Sequence, residues 1–545
     1  MRKWVSFVAL VVGVCTPGFA GTYRVPENYP TIQEAIDACE GRGDSIIVRA
    51  GEYPEHVQIG DEWLILSAPD GPAVTSFLSL TWNQQWSPQE GESVLAGFAI
   101  GGPVDLNLAY AFRMSGCDIS GVIDADLPQT DHNSFLAEQC TFRNDVDIDI
   151  VWDRDFASWG KAQDCDFLDG ANLRIRATYA VRVIRCHFEG GGVELRCETN
   201  GDVTDCVFHG GGGIHTAFDS GGRVEGNVLT GGPGIRADHG SFGATVMDNL
   251  LRGCTDGIVF DDPFGGPIAL AKRNALVDCA RGIRLAEWDA AASNVLVRCG
   301  TGIEAANWCT IDSNTVVASL AGVRLLGRVD RLNNNLLMDC DAGVVNEDSG
   351  QPREISCNDV FNSATGNWIG LPDPTGIHGN ISLDPRFCLY SELDYTLASD
   401  SPCLPGNHPD GPVCGVIGAH GLGCDEPSGT SSAGDGEGPA QPDDAIHGLN
   451  RGVKHLTLAR PAPNTSRESQ TLRFALPQPG HCRISVHAPS GRTARVVLDE
   501  ALDAGWHARV WDGRDANGTV VPAGVYFIRV SLGGQTSTRA LLRLR

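Results

Sequence analysis

The chain has 545 residues, a formal net charge of −27 at neutral pH and 67 glycines, with aromatic residues at only 7%. The charge argues against a nucleic-acid or anionic-membrane partner, because both require a basic face. The length exceeds one ordinary domain, which leaves several domains or a repeat array whose units pack only on their neighbours.

In chain order, residues 1–20 read as a secretory signal. Arg2 and Lys3 precede the apolar run WVSFVALVVGV, and Gly18-Phe19-Ala20 is a small-x-small cleavage site. That run is too short to anchor the chain in a bilayer, and no later apolar stretch is long enough to cross one. The mature protein is expected to be secreted or at the cell surface. The stretch YPTIQEAIDAC follows, with Thr31 and Glu34 at capping-box spacing and Ile32, Ala35, Ile36 and Cys39 on one helical face. A short amphipathic helix here would cover the open end of a repeat stack. GDSIIVRAGEYPEHV then reads as the first strand and turn.

The repeat itself is read from two columns. One runs Cys117, Cys140, Cys165, Cys186 and Cys206, then continues as Asn227, Asn249, Asn274, Asn294, Asn314, Asn335 and Asn358, at intervals of 20 to 25 residues. The other lies five residues further on, at Cys254, Cys279, Cys299 and Cys340. These cysteines are small buried residues in stacked positions, without the paired spacing of a zinc site. Each repeat carries three short apolar alternations. In the repeat that starts at Asn274 they are Leu276, then Ile283 with Leu285, then Ala292 leading into the next Asn. Period-two alternation reads as strand, and nothing between the strands is long enough for a helix. Three strands per repeat, with Gly and Asn at the corners, describe an all-β right-handed parallel β-helix whose coils rise about 4.8 Å each. A buried amide at one corner can accept from one coil and donate to the next.

With these columns, residues 22 to 424 resemble the pectin-lyase-like superfamily of β-helix proteins. Its asparagine ladder occupies the bend between the second and third sheets. The resemblance implies the fold strongly and the activity weakly, because this fold hosts lyases, hydrolases, esterases, adhesins and inert stalks. The N-terminal stretch is similar to the opening of pectin methylesterases, but no matching Gln and paired Asp segments follow, which disfavours that activity. In the resembling enzymes the substrate lies along the outer face of the first sheet, here the strand typified by Gly-Ile-x-Leu.

Along that strand the outward positions can be read coil by coil. They are Asp124 and Asp126; Asp145, Asp147 and Asp149; Asn172, Arg174 and Arg176; Glu194 and Arg196; His215; Arg236 and Asp238, with His239 beside them. Sparser coils follow at Asp261, Arg284, Glu304, Arg324 and Val345. The dense part forms a stripe about 25–30 Å long at the rung spacing. Stacked Asp124, Asp126, Asp147 and Asp149 are the expected ligands of a Ca²⁺ ion. Arg174, Arg196, Arg236, Asp238 and His215 are the catalytic candidates, and Arg176, Glu194 and His239 the substrate-binding ones. Arginine is preferred as the base of a β-elimination, since the chain has only four lysines and none falls on this face. Two of the carboxylates could instead serve glycoside hydrolysis. The same charges are also what a solvated outer face requires. The function classes left open are thus a polysaccharide lyase or glycoside hydrolase, and a non-catalytic glycan-binding protein or stalk. A monomer is expected.

The segment LDPRFCLYSELDYTLASDSPCLPGNHPDGPVCGVIGAHGLGC is similar to the closing part of bacterial right-handed β-helix repeat proteins. Cys388, Cys403, Cys414 and Cys424 lie there outside the columns, and are disulfide candidates with three pairings open. Residues 21–424 are accordingly assigned to the β-helix with its caps and residues 425–455 to a flexible linker rich in Gly, Ser, Pro and Asp. Residues 456–545 read as strands separated by turns. They resemble the immunoglobulin-like domain of the flagellar hook-capping protein and the sorting tails of type IX secretion cargo, which implies a small β-sandwich engaged by sorting or attachment machinery. WDGRDANG within it reads as a strand-connecting turn rather than a calcium loop.

Overall fold

The computed structural model describes residues 20–424 except 40–42, 61–62, 84–91, 109–110, 127–133, 151–158, 178, 198–200, 262–267, 349, 391–393 and 412. It further describes residues 456–543 except 459–464, 467–469, 488–491, 503–504, 512, 516–518, 522–523 and 534. The signal segment before residue 20 and the linker 425–455 therefore lie outside the described residues. Among the described residues, no helix is long and apolar enough to cross a membrane.

Apolar residues at every second position can be buried only on one side of a strand, and the chain winds so that all these sides face inward. The result is a right-handed parallel β-solenoid. One sheet has 16 strands and runs from Thr22–Val25 to Glu354–Ser356. After each of its strands from Ser93–Ala96 onward the chain bends into a strand of two or three residues, such as His187–Glu189. In every coil but the last, where the strand is Trp368–Ile369, it bends again into a longer strand, such as Val193–Cys197, before returning through a loop. Short strands pair with short ones and long with long, all in parallel register, as in His187↔Val207 and Val193↔Ile214. Inside, stacked rings fill the coil centres: Phe142, Phe167, Phe188 and Phe208 follow one another at centroid spacings of 5.0, 4.4 and 4.6 Å.

Both bends use a left-handed residue. At the first, Gly116, Gln139, Asp164, Arg185, Asp205, Gly226, Asp248, Arg273, Ser293, Ser313, Asn334 and Cys357 all have φ between 52° and 70°. Each immediately precedes a member of the Cys/Asn column. At the second bend Asp278, Arg298, Ala318 and Asp339 take φ of 51° to 57°, just before Cys279, Cys299, Ser319 and Cys340. For a residue with a Cβ this region costs about 1–2 kcal/mol, so the corners need compensation.

The asparagine ladder supplies it. At the corner the amide N–H of the ladder residue has no sheet partner. Asn274 N donates to Asn294 Oδ1 at 2.9 Å, and Asn274 Nδ2 donates to the same oxygen at 3.0 Å and to Val246 O at 2.9 Å. The pattern repeats through Asn335 to Asn358, and the ladder runs one coil further than the columns indicate, to Asn380. In the N-terminal coils cysteine is more than filler. Cys186 N donates to Cys206 Sγ at 3.4 Å, and Cys206 Sγ donates to Thr204 O at 3.3 Å. The thiol thus repeats the amide's two roles with weaker groups.

The short helix Ile32–Asp37 buries Ile32, Ala35 and Ile36. Its Thr31 Oγ1 accepts from Glu34 N at 3.1 Å, but the first-turn amides of Ile32 and Gln33 are taken by the carboxylate of Glu55, at 3.0 and 2.9 Å. A carboxylate from the strand Gly51–Ile59 thus supplements the local cap.

The solenoid up to Leu383, together with His408–Ala419, forms one compact unit; Asp384–Asn407 with the chain from His420 onward forms a second. The disulfide expectation needs correction. The bonds are Cys357–Cys414, within the first unit, and Cys388–Cys424, within the second. Cys403 is buried and is in neither. Cys357 precedes ladder residue Asn358 and occupies the left-handed corner position, which turns its side chain away from the core and towards Cys414. In the second unit, one sheet of three strands is built around Gln470–Leu476, and another of five strands around Gly480–His487 and Gly524–Leu532. Both contribute to one apolar core that includes Phe474, Ile484, Trp511 and Ile528. Of WDGRDANG, residues 512 and 516–518 lie outside the described residues; Asp515 Oδ1 accepts from Thr519 N at 2.9 Å.

Candidate functional site

The long strands carry the candidate face, and the alternation holds along them. Ile123 and Ala125 are buried while Asp124 and Asp126 are exposed, and Ile175 is buried between outward Arg174 and Arg176. Parallel register aligns the outward positions in two rows. The first row is Asp105, Asp124, Asp147, Arg174, Glu194, His215 and Arg236. The second is Asn107, Asp126, Asp149, Arg176, Arg196, Ala217, Asp238 and Asp261. Asp105 and Asn107 belong to the face although the sequence reading begins one coil later. Their strand VDLN has the same alternation and could have been found by it. His239 lies on the strand Ile235–Phe242, but its side chain is outside the described residues.

Most of the charge is spent within the face. Arg174 donates to Asp147 Oδ1 at 3.0 Å and to Asp145 Oδ2 at 3.3 Å, and lies 3.9 Å from Glu194. Arg176 meets Asp149 at 2.8 Å, and Arg196 meets Glu194 at 3.0 Å. Burial pushes the Asp145 carboxyl up, but hydrogen bonds from Asn172 and the Arg174 charge outweigh it and hold the group below the usual range. The hydrogen bond to Asp147 holds the Arg174 guanidinium above the ordinary arginine value. Asp124 behaves oppositely. Partial burial, then the charges of Asp126, Asp105, Asp147 and Asp149, raise its pKa, and no cation faces it among the described residues.

The four aspartates expected to bind calcium stand in two rows of two, Asp124 with Asp147 and Asp126 with Asp149. Asp147 and Asp149 are engaged by arginines, and among the described residues no three His, Cys, Asp or Glu side chains converge on a point where a metal ion would sit. Ca²⁺ takes a shell of several oxygens, and residues 127–133 and 151–158, which follow Asp126 and Asp149, lie outside the described residues.

Further along, four side chains are brought together. His215 Nε2 lies 2.8 Å from Asp238 Oδ2. Arg236 donates through Nε to Asp238 Oδ1 at 2.8 Å and through its terminal nitrogen to Asp261 Oδ2 at 2.8 Å. Burial opposes the ionised form of Asp238, but the hydrogen bonds from His215 and Arg236 prevail and lower its pKa. An ionised Asp238 fixes the orientation of the imidazole. The other ring nitrogen, Nδ1, has no hydrogen bond among the described residues, and the side chain keeps 35% of its surface in solvent. Beyond this cluster the face thins to Arg284, Glu304 and Arg324, with Arg324 bridging Glu304 and Glu347 at 3.0 and 2.8 Å. A shallow depression of about 430 Å³ lies elsewhere, over the second cysteine column, and no residue of the two rows lines it.

The chain matches the family model described as right handed beta helix region over residues 150–337. That span takes in the arginines, His215 and the Asp238 cluster. No curated protein matches the chain. Among solved structures, it is similar to tailspike protein 3 of bacteriophage CBA120 at 11% identity and a TM-score of 0.31, over 64% of this chain and 60% of that one. The chain therefore spans less than two thirds of the tailspike's length.

Proposed function

We propose that the chain is an exported polysaccharide-interacting β-helix protein whose glycan lies along the outer face between Val104–Asn107 and Ile258–Asp261. The observation that carries this reading is the pair of register rows in which Arg174 and Arg176 stand outward on one rung, Arg196 on the next and Arg236 two rungs beyond it. Guanidinium groups recognise sugar carboxylates and hydroxyls through several directed donors. Their ion pairs with flanking acids hold them in place before a ligand arrives, which lowers the entropy lost on binding.

A second reading, catalysis, is favoured by one observation: His215 is oriented by Asp238 and keeps Nδ1 available. In an elimination on a uronate, His215 would take the proton next to the carboxylate. Arg236, one rung on, would hold that carboxylate, and Arg174, three rungs before it, that of another sugar unit along the polymer. Their acidic neighbours keep both guanidinium groups charged, which suits binding and opposes the base role expected of them. In this reading the signal segment 1–20 directs export and the helix Ile32–Asp37 covers the first coil. The linker 425–455 then joins an Ig-like sorting or attachment domain at 456–545, supported there by two sheets that share one apolar core.

The test combines electrophoresis through gels containing polygalacturonate, alginate or a neutral glucan with absorbance assays for unsaturated products, each with Ca²⁺ or with chelator. Retardation of the wild type that is lost in the Arg174→Ala, Arg176→Ala double variant is the expected result. Unsaturated products that vanish in His215→Ala would add catalysis. A wild type that is neither retarded nor active on any polymer refutes the proposal.

A further inference from the structure

Outside the charged rows, one corner of the solenoid carries aromatic side chains where aromatic side chains are least suited. Trp288 and Trp308 occupy the same turn in consecutive coils, and both adopt left-handed backbone, with φ of 71° and 64°. Glycine or asparagine is the ordinary occupant of such a position, and a bulky residue there is strained by about 1–3 kcal/mol. The strain is not repaid by burial. Trp288 keeps 50% of its surface in solvent.

The turn is nevertheless held rigidly. The buried carboxylate of Asp289 accepts from Ala286 N and Ala269 N, both at 2.9 Å. Trp288 N donates to Asn307 O at 3.0 Å, and Trp308 N to Arg328 O at 2.7 Å. The two indoles stack with centroids 5.5 Å apart and planes inclined by 17°. Arg328 lies over the Trp308 ring at 5.7 Å from its centroid. Trp308 is therefore covered on both faces, by Trp288 and by Arg328. Trp288 has only one face covered by this stack, and Ile268, 59% exposed, sits on the adjoining rung. Glu287 and Asn307, each the residue before a tryptophan, are joined by a 3.0 Å hydrogen bond.

A rigid, strained, solvent-facing indole flanked in sequence by planar hydrogen-bonding groups is a stacking platform. Its area is that of a single ring with one aliphatic neighbour, far below the roughly 1,000 Å² that a specific protein partner needs. The net charge of −27 disfavours nucleobases carried on a phosphate backbone. A flat ligand of ring size with one apolar face and a polar perimeter fits, and the C–H face of a pyranose has that chemistry. We infer that Trp288, braced by Trp308 and Arg328, is a sugar-stacking subsite that seats one pyranose ring of a polysaccharide. This rests on the glycan reading given above and adds to it an anchor outside the charged rows.

The test uses the full chain and the same polymer gels, in uronate and neutral arms that identify which kind of ring is stacked. Trp288→Asn is compared with the wild type and with the Arg174→Ala, Arg176→Ala double variant. Asparagine accepts the left-handed conformation, so the thermal midpoint of Trp288→Asn is expected to hold or rise. Its apparent affinity is expected to fall about tenfold, the scale of one aromatic contact. A lowered midpoint with unchanged retardation means that the stack is structural and overturns the inference. If the arginine variant loses retardation while Trp288→Asn keeps it, the glycan reading stands and the subsite falls. A wild type retarded by no polymer overturns both.

Discussion

Replacing Asn294 with alanine isolates what the ladder contributes. Asn294 is fully buried. Its Oδ1 accepts from Asn274 N at 2.9 Å and from Asn274 Nδ2 at 3.0 Å, and its Nδ2 donates to Ala271 O and to Asn314 Oδ1, both at 2.9 Å. In the alanine variant Asn274 Nδ2 still reaches Val246 O. The Asn274 backbone N–H has no other acceptor at the corner, and a buried orphan of this kind costs about 1–3 kcal/mol. The lost donor bond adds about 1 kcal/mol and the small void about as much again. The expected loss is therefore about 3–5 kcal/mol, read from urea midpoints at constant slope. Hydrogen exchange should rise first at Asn274 and Val295. Asn294→Cys restores the situation of the N-terminal coils, where a sulfur accepts the preceding coil's amide at 3.4 Å. It is expected to lose about half as much. An alanine variant that loses less than about 1 kcal/mol, or a cysteine variant no milder than alanine, would refute this account of the corner.

Asp124→Asn should raise the unfolding midpoint at pH 7. The folded pKa of this acid is raised by burial and by its carboxylate neighbours, so ionisation disfavours the folded state above the ordinary aspartate range, and the gain should fade as pH drops below it. A midpoint lowered at pH 7 counts against the reading. Asp238→Asn should behave in reverse, since its folded pKa is lowered. The stability it provides is present above the ordinary aspartate range and lost as pH falls through the folded value, so the variant's acid sensitivity should be smaller than the wild type's in a pH series of midpoints. Peptide mapping without reduction should recover Cys357 with Cys414 and Cys388 with Cys424. Opening the first of these, which closes a separation of 57 residues, should destabilise the chain by about 4 kcal/mol on chain-entropy grounds. Recovery of a Cys403–Cys414 or Cys403–Cys424 peptide would contradict the assignment.

The solenoid was legible because its constraints recur. One alternation and one corner residue, repeated at nearly constant intervals, identify which positions face inward without any knowledge of distant contacts. The face was legible for the same reason, since outward positions follow once Ile123 or Ile175 is known to be inside. The pairing of charges across it was not. Arg174 could answer Asp147, Glu194 or a ligand, and only register and rotamer show that Asp145 and Asp147 take it. The calcium expectation counts carboxylates, and the arginines one rung away that engage Asp147 and Asp149 were not legible to it. Cys357 escaped because it stands beside a ladder asparagine and no column contains it. Trp288 and Trp308 escaped because a turn of four residues has no periodicity. Their signal was the shared interval, Trp at the same place in AEWDA and ANWCT, which hydrophobic patterning does not examine.

The asparagine ladder has a direction. Every backbone N–H of the ladder from Cys206 to Asn358 finds its side-chain acceptor in the coil that follows, never in the coil before. A ribosome delivers the chain in the same order, so the corner of a newly made coil stays open until about 20 more residues have emerged. The solenoid must therefore close one coil behind its own synthesis, like a zip whose slider trails the teeth. A premature stop anywhere in the array would leave one dangling amide at the last complete corner, whatever the length of the fragment.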